Sequence, residues 1–165
     1  MPLVLIIGSK GGVGTTSVAR HLARQVRGLG LDLDDGSLAM QLDRQVWALY
    51  ELAQMSRLRR DKALAQAVKK RITLLWTPEC EALAGDVWPA VRALADRTTV
   101  VADGGLDPPP QAGQMADRVF IISNDDTVAR WHAEKLAGRH PGATVVTVDL
   151  SQRGETKRVA RELAE

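Results

Sequence analysis

The sequence predicts an α/β domain with a mainly parallel β-sheet covered by helices on both faces. Three observations carry this. Short apolar runs recur along the chain and read as strands. Stretches with apolar residues at helical spacing lie between them. The connecting stretches suit right-handed crossovers between parallel strands. The chain has 165 residues, which suits one domain, 1–165, able to bury a real core.

The elements follow in order. Leu3 to Gly8, LVLIIG, reads as a strand buried on both faces. In the next stretch Val18, Leu22 and Val26 share one helix face, and Gly28 is placed to stop that helix. Leu29 to Asp34 is a short strand, and Gln41 to Lys70 has the composition of two or three helices. Arg71 to Trp76 is a strand stopped by Pro78. Asp86 to Arg97 is a helix, with Asp86 as N-cap and Pro89 in its first turn. Thr98 to Asp103 is a strand. The stretch GGLDPPPQAG after it is a loop, because three prolines do not sit inside a helix or a central strand. Arg118 to Ser123 is a strand, followed by a helix with its N-cap among Asn124 to Asp126. ATVVTVDL is a last strand and GETKRVARELAE a closing helix.

Composition excludes several classes. Apolar residues make up 45% and charged residues 25% of the chain, as in ordinary soluble domains. A net charge of +2 is too small to argue for nucleic acid or membrane by itself. Cys80 is the single cysteine, so no internal disulfide forms, which fits a reducing cytoplasm. The apolar run from Leu3 to Ile7 is too short for a signal segment or a membrane span, and export is not expected. No repeat, long linker or low-complexity segment stands out.

Gly8 to Ala19, GSKGGVGTTSVA, carries the chemistry. A strand, a glycine-rich loop and a helix form the setting a phosphate-binding motif demands. Gly11, Gly12 and Gly14 let the backbone turn tightly and present its N–H groups. The helix beginning near Thr15 adds its positive end. Thr16 places a hydroxyl where a magnesium ligand would sit. The plain alternative is a tight turn with no ligand, but three glycines and two threonines exceed what a turn needs.

This stretch resembles the deviant Walker A loop of the MinD/ParA family, xKGGxGK[ST]. Lys10 matches that family's signature lysine, which the resemblance implies reaches across a dimer to the partner's phosphates. Gly11, Gly12, Gly14 and Thr16 match as well, and the resemblance implies a P-loop NTPase-like fold that binds ATP or ADP with Mg2+. On it, Gly11, Gly12, Val13, Gly14, Thr15, Thr16 and Ser17 cradle the phosphates. Thr15 departs, standing where the family carries the lysine that holds the β- and γ-phosphates. A unit charge at about 4 Å, at an effective dielectric near 20, is worth roughly 4 kcal/mol before desolvation. Half of that weakens binding more than tenfold. It also weakens stabilisation of the charge that grows on a transferring phosphoryl group. Slow or absent hydrolysis is therefore expected.

Asp32 and Asp34, two residues apart, are expected on the same face of a strand near its C-terminal end, where open α/β sheets place their ligands. They resemble the family's DxD switch I segment. The resemblance implies that Asp34 orients an attacking water and that Asp32 lies near the metal. Asp103 matches the Walker B aspartate, so Thr16, Asp32 and Asp103 are the implied magnesium set. Lys10 and Asp34 are the implied catalytic residues. Gly104 and Gly105 follow Asp103 where the family carries an early proline. Both acidic sites also read as ordinary acidic strand ends.

Threonine in place of the loop lysine is similar to the CpaE/TadZ branch of the family. LDLDDGSLAMQLD, RITLLWTPE and RVFIISNDDTVARWHAEKLAG resemble further stretches of those relatives. The resemblance implies a cytoplasmic protein that forms a homodimer and helps place a pilus or secretion machine, often at a pole or at the membrane through its partners. Asp149 stands near where relatives use asparagine to recognise adenine, so base preference is unsupported.

Other features carry less. Arg57 to Arg71 holds seven basic residues and one acidic, which suits non-specific DNA, an anionic membrane surface, or a solvated helix face. The closing helix lacks the large apolar residues of a membrane-targeting tail and is expected to dock on the sheet. Trp47, Trp76, Trp88 and Trp131 read as core or interface anchors, with Trp47 and Tyr50 together on one helix. His21, His132 and His140 lack metal-site spacing. Three functional readings result: a scaffold with weak nucleotide binding, a working ATPase in which Lys10 supplies the missing charge, and a DNA-associated positioning protein.

Overall fold

The computed structural model describes residues 1–165. Seven strands form one sheet, all parallel, in the order β3-β4-β2-β5-β1-β6-β7. The elements are β1 (Leu3–Gly8), α1 (Thr15–Gln25), β2 (Leu29–Asp32), α2 (Ser37–Leu42), β3 (Val46–Ala48), α3 (Leu49–Gln54), α4 (Arg57–Lys70) and β4 (Thr73–Leu75). They continue with α5 (Glu79–Ala82), α6 (Ala84–Ala95), β5 (Val100–Asp103), α7 (Pro110–Met115), β6 (Arg118–Ser123), α8 (Thr127–Arg139), β7 (Thr144–Thr147) and α9 (Glu155–Leu163).

The centre of the sheet is buried on both sides, and β1 shows why. Leu3, Leu5 and Ile7 point into one core with residues of α3, α4 and α6. Val4 and Ile6 point into a second core with α1, α2 and α9. The period-2 alternation of a strand splits one apolar run between two cores. The closing helix docks through Val159, Ala160 and Leu163 mainly against α1, and not directly on the sheet as expected. No helix is long and apolar enough to cross a membrane.

Several local expectations need correcting. The stretch from Gln41 to Lys70 contains an edge strand, β3, as well as helices. Trp47 therefore lies on a strand and Tyr50 on α3, and both pack half-buried on the first core. The proline-rich stretch is not all loop, because Pro110 opens α7 at a position where no N–H is needed. Asp86 lies inside the first turn of α6 rather than at its cap, and Pro89 sits within the helix. Helix α1 is closed by Arg27, which takes the left-handed conformation at φ 53°. Gly28 is required for a different reason: a Cβ there would collide with the Thr99 carbonyl oxygen.

Candidate functional site

The loop after β1 is built around backbone conformation. Gly12 at φ 79° and Gly14 at φ 94° are left-handed, a region glycine enters freely. Gly14 caps α1 without a side chain, so the first-turn N–H groups lack a capping acceptor. These groups and the helix dipole favour an anion. A cavity of about 500 Å3 lies here, bordered by Lys10, Gly11 to Ser17 except Val13, Asp34, Asp35, Gly105, Leu106 and Leu150. That is within the common range for small-ligand sites, roughly 300–1,000 Å3. Val13 is buried in the second core, so its part in the loop is its backbone.

Thr15 folds back onto the end of β1. A Cβ at Gly8 would collide with its Oγ1, so Gly8 is the seat of this side chain. Lys10 is then the one cation bordering the cavity. Its Nζ lies 3.3 Å from Asp126 Oδ2, with both side chains substantially exposed. Asp126 is also the N-cap of α8, accepting the Val128 and Ala129 N–H groups at 2.9 and 3.0 Å. The Ala129 N–H, then Lys10, holds the Asp126 carboxyl below the usual carboxylate range.

Strand register brings the acidic residues together. Asp32 and Asp103 are partners on neighbouring strands β2 and β5, and both are buried. Asp32 Oδ1 accepts the Asp34 and Gly36 N–H groups at 3.2 Å each, and Oδ2 accepts the Ala39 N–H at 2.9 Å. Much of its accepting capacity is therefore spent on the turn into α2. Asp103 accepts the Gly105 N–H at 3.2 Å. Burial pushes its carboxyl up to about 6, against the opposing pull of the Thr16 hydroxyl and the Gly105 N–H. The Thr16 hydroxyl and the Asp103 carboxyl thus lie within hydrogen-bond reach of each other. No cluster of three His, Cys, Asp or Glu side chains forms a ready metal cage.

Asp34 does not share a strand face with Asp32, because β2 ends at Asp32. Its side chain instead rests against Gly105, where an added Cβ would overlap the carboxyl and where φ is +57°. Partial burial raises the Asp34 carboxyl, with Asp35 and Asp32 adding to the effect. The Gly105 carbonyl accepts the Gly8 N–H at 2.7 Å and the Gly104 N–H donates to Ile6 O at 2.8 Å. The segment after Asp103 is thereby tied to β1, directly beneath the loop.

Residues missed in the sequence also belong here. Asp126 was visible only as a possible helix cap. Leu150, half exposed, lies at the cavity rim close to Gly14, and nothing in the sequence linked it to the loop. The basic residues of α4 lie elsewhere. Lys69, Lys70 and Arg71 precede β4 at the N-terminal edge of the sheet, opposite the loop. Arg60 is held by the Ala53 and Met55 carbonyls.

The sequence matches no protein-family model and no curated protein. Solved structures do resemble the fold. A ParA family ATPase from Chlorobium tepidum TLS aligns with 98% of this chain and 82% of its own, at TM-score 0.67 and 15% identity. The MinD cell division protein of Aquifex aeolicus aligns with 97% of this chain and 73% of its own, at TM-score 0.62 and 19% identity. A putative plasmid partition protein from Borrelia burgdorferi B31, bound to AMPPNP, covers 98% of this chain and 81% of its own, at TM-score 0.54 and 14% identity. At such identities the likeness is one of architecture: this single α/β domain has the P-loop fold of the ParA and MinD ATPases.

Proposed function

We propose that the chain is a CpaE/TadZ-like P-loop protein that binds ATP or ADP with Mg2+ weakly and hydrolyses little or none. On this reading it acts through dimerisation as a localisation or assembly factor for a pilus or secretion machine. The observation that carries weak binding is the charge around the cavity: Thr15 is folded onto Gly8, and Lys10, the single bordering cation, is paired with Asp126. The assembly role rests on the resemblance of Gly8 to Ala23 and Leu31 to Asp43 to that branch.

The backbone of Gly11 to Ser17 would hold phosphate oxygens, with the open N–H groups of the first turn of α1. Thr16 and Asp103 would hold Mg2+, and Asp32 would order the turn beside them. Mg2+, when bound, supplies positive charge against the phosphates. Calorimetric titration with ATP and ADP in magnesium tests the reading, alongside Thr15→Lys. Weak binding that strengthens at least tenfold in the variant supports it. Tight binding by the unaltered chain, or none by either protein, overturns it.

A second reading is favoured by one observation. The Lys10–Asp126 pair is exposed on both sides, and exposed ion pairs hold weakly, so Lys10 is free to change partner. The chain would then be a working ATPase with Lys10 supplying the missing charge and Asp34 orienting water. Phosphate release that depends on ATP and is abolished by Lys10→Ala or Asp34→Ala would establish this reading over the scaffold.

A further inference from the structure

We propose that the groove running along α8 is a docking site for an extended acidic segment of a partner protein, anchored by an apolar side chain. The proposal does not rest on nucleotide binding: Lys135, Arg139 and Arg118 lie outside the phosphate cavity, although Lys10, Gly11 and Leu106 border both.

Two cavities, of about 480 and 520 Å3, share Asp107, Leu136 and Arg139 and so form one continuous groove. It passes from the end of β1, between α8 and the loop that leads into α7, to the start of β6. Helix α8 has 13 residues, about 20 Å of length. Roughly six residues of extended chain span that distance.

Charge identifies the occupant. Lys135 and Arg139 lie four apart on α8, hence on one face, and Arg118 stands at the start of β6. None of the three has a carboxylate partner within the chain. Of the acidic residues in the groove, Asp117 is already held by Arg92 and the Leu3 N–H. Asp107 is the one carboxylate left, so the groove offers a surplus of positive charge to an acidic ligand.

Apolar exposure identifies the anchor. Leu106 and Trp131 border the upper part of the groove at 52% and 51% exposure, and Leu136 lies half-buried between them and Arg139. Exposed large apolar side chains rimmed by charge mark an interaction surface. Single-stranded nucleic acid would also value cations and an aromatic ring. Here, however, the Lys135 ammonium sits over the Trp131 ring, 3.5 Å from its centroid, so one face of the ring is already taken. A peptide needs only the indole edge and the neighbouring Leu106.

Selection of a random octapeptide display library on the intact chain tests the proposal. The expected binders carry Asp or Glu on either side of Leu, Phe or Trp. Their affinity should fall at least tenfold in the double variant Lys135→Glu with Arg139→Glu. It should fall less in Lys135→Gln with Arg139→Gln, with far-ultraviolet circular dichroism unchanged in both. No enriched sequence, a neutral or basic consensus, or acidic binders indifferent to both variants would overturn it. So would labelled oligo(dT) binding that these variants abolish, or self-association of the chain that both variants abolish, which would put a second copy in the groove.

Discussion

Asp32 and Asp103 face each other across neighbouring strands, yet their surroundings give them different roles. Asp32 is satisfied by three backbone N–H groups, whereas Asp103 has one and is otherwise buried, which lifts its carboxyl to about 6. Between pH 3.8 and about 6 the metal-free folded chain keeps a proton on Asp103 that the unfolded chain has released. Stability therefore falls as pH rises through that window, by about 3 kcal/mol at most. Asp103→Asn removes the titrating group and keeps the acceptor for the Gly105 N–H. Urea denaturation in EDTA at pH 4 and pH 7.5 should show the unaltered chain losing this amount relative to the variant. An equal loss in both proteins would mean that Asp103 ionises freely. Thr15 is the other decisive residue. Because its side chain packs on Gly8, Thr15→Lys must aim its longer chain outward, and on the proposed reading ATP affinity measured by calorimetry should rise at least tenfold in that variant.

Helix termini are where residue choice becomes element placement. The Asp32 carboxylate fixes the entrance to α2 from the end of a different element. Asp32→Ala leaves the buried Ala39 N–H without its acceptor, at about 1–3 kcal/mol for such a loss. A lowered urea midpoint with an unchanged slope is the expected result. Asp126 does the same for α8 and also holds Lys10. Asp126→Ala should speed amide hydrogen exchange at Val128 and Ala129 while leaving β6 protected. If those amides exchange at the unaltered rate, the cap does not govern the helix start. Elements were legible where their pattern was long and local, as in β1, β6 and α8. The strand β3 was not, because three residues of an exposed edge, Val46–Ala48, carry no alternation strong enough to separate them from helix. Helix α7 was hidden by its prolines, which are read as breakers unless Pro110 is known to be at a helix start.

At the scale of the whole molecule, the two cores are joined through the strands they share. β1 contributes alternate residues to both, and β5 does the same through Val100 and Val101. Neither core survives without the sheet, so unfolding should be a single cooperative event. Trp47, Trp76 and Trp88 all pack in or on the first core, with Trp76 and Trp88 rings 5.3 Å apart. Trp131 is already half exposed on α8, so the fluorescence change on unfolding comes mainly from these three and reports chiefly one face, while far-ultraviolet circular dichroism reports helices on both. The two urea transitions should coincide, and a separation would show that the faces unfold independently. The same sheet order sets the candidate site. With β5 between β1 and β2, the ends of all three strands meet, which brings Thr16, Asp32, Asp34 and Asp103 to one place.

The sequence by itself determined the α/β class, the strand–loop–helix setting of Gly8 to Thr16, and the absence of charge on residue 15. These depend on local periodicity and on single residue identities. The tertiary structure decided where Thr15 lies, that Lys10 is paired with Asp126, that Asp34 rests on Gly105 rather than beside Asp32 on a strand, and that α8 borders a cationic groove. Those relations join residues far apart in the chain. They arise from strand order and close packing, which no local pattern encodes.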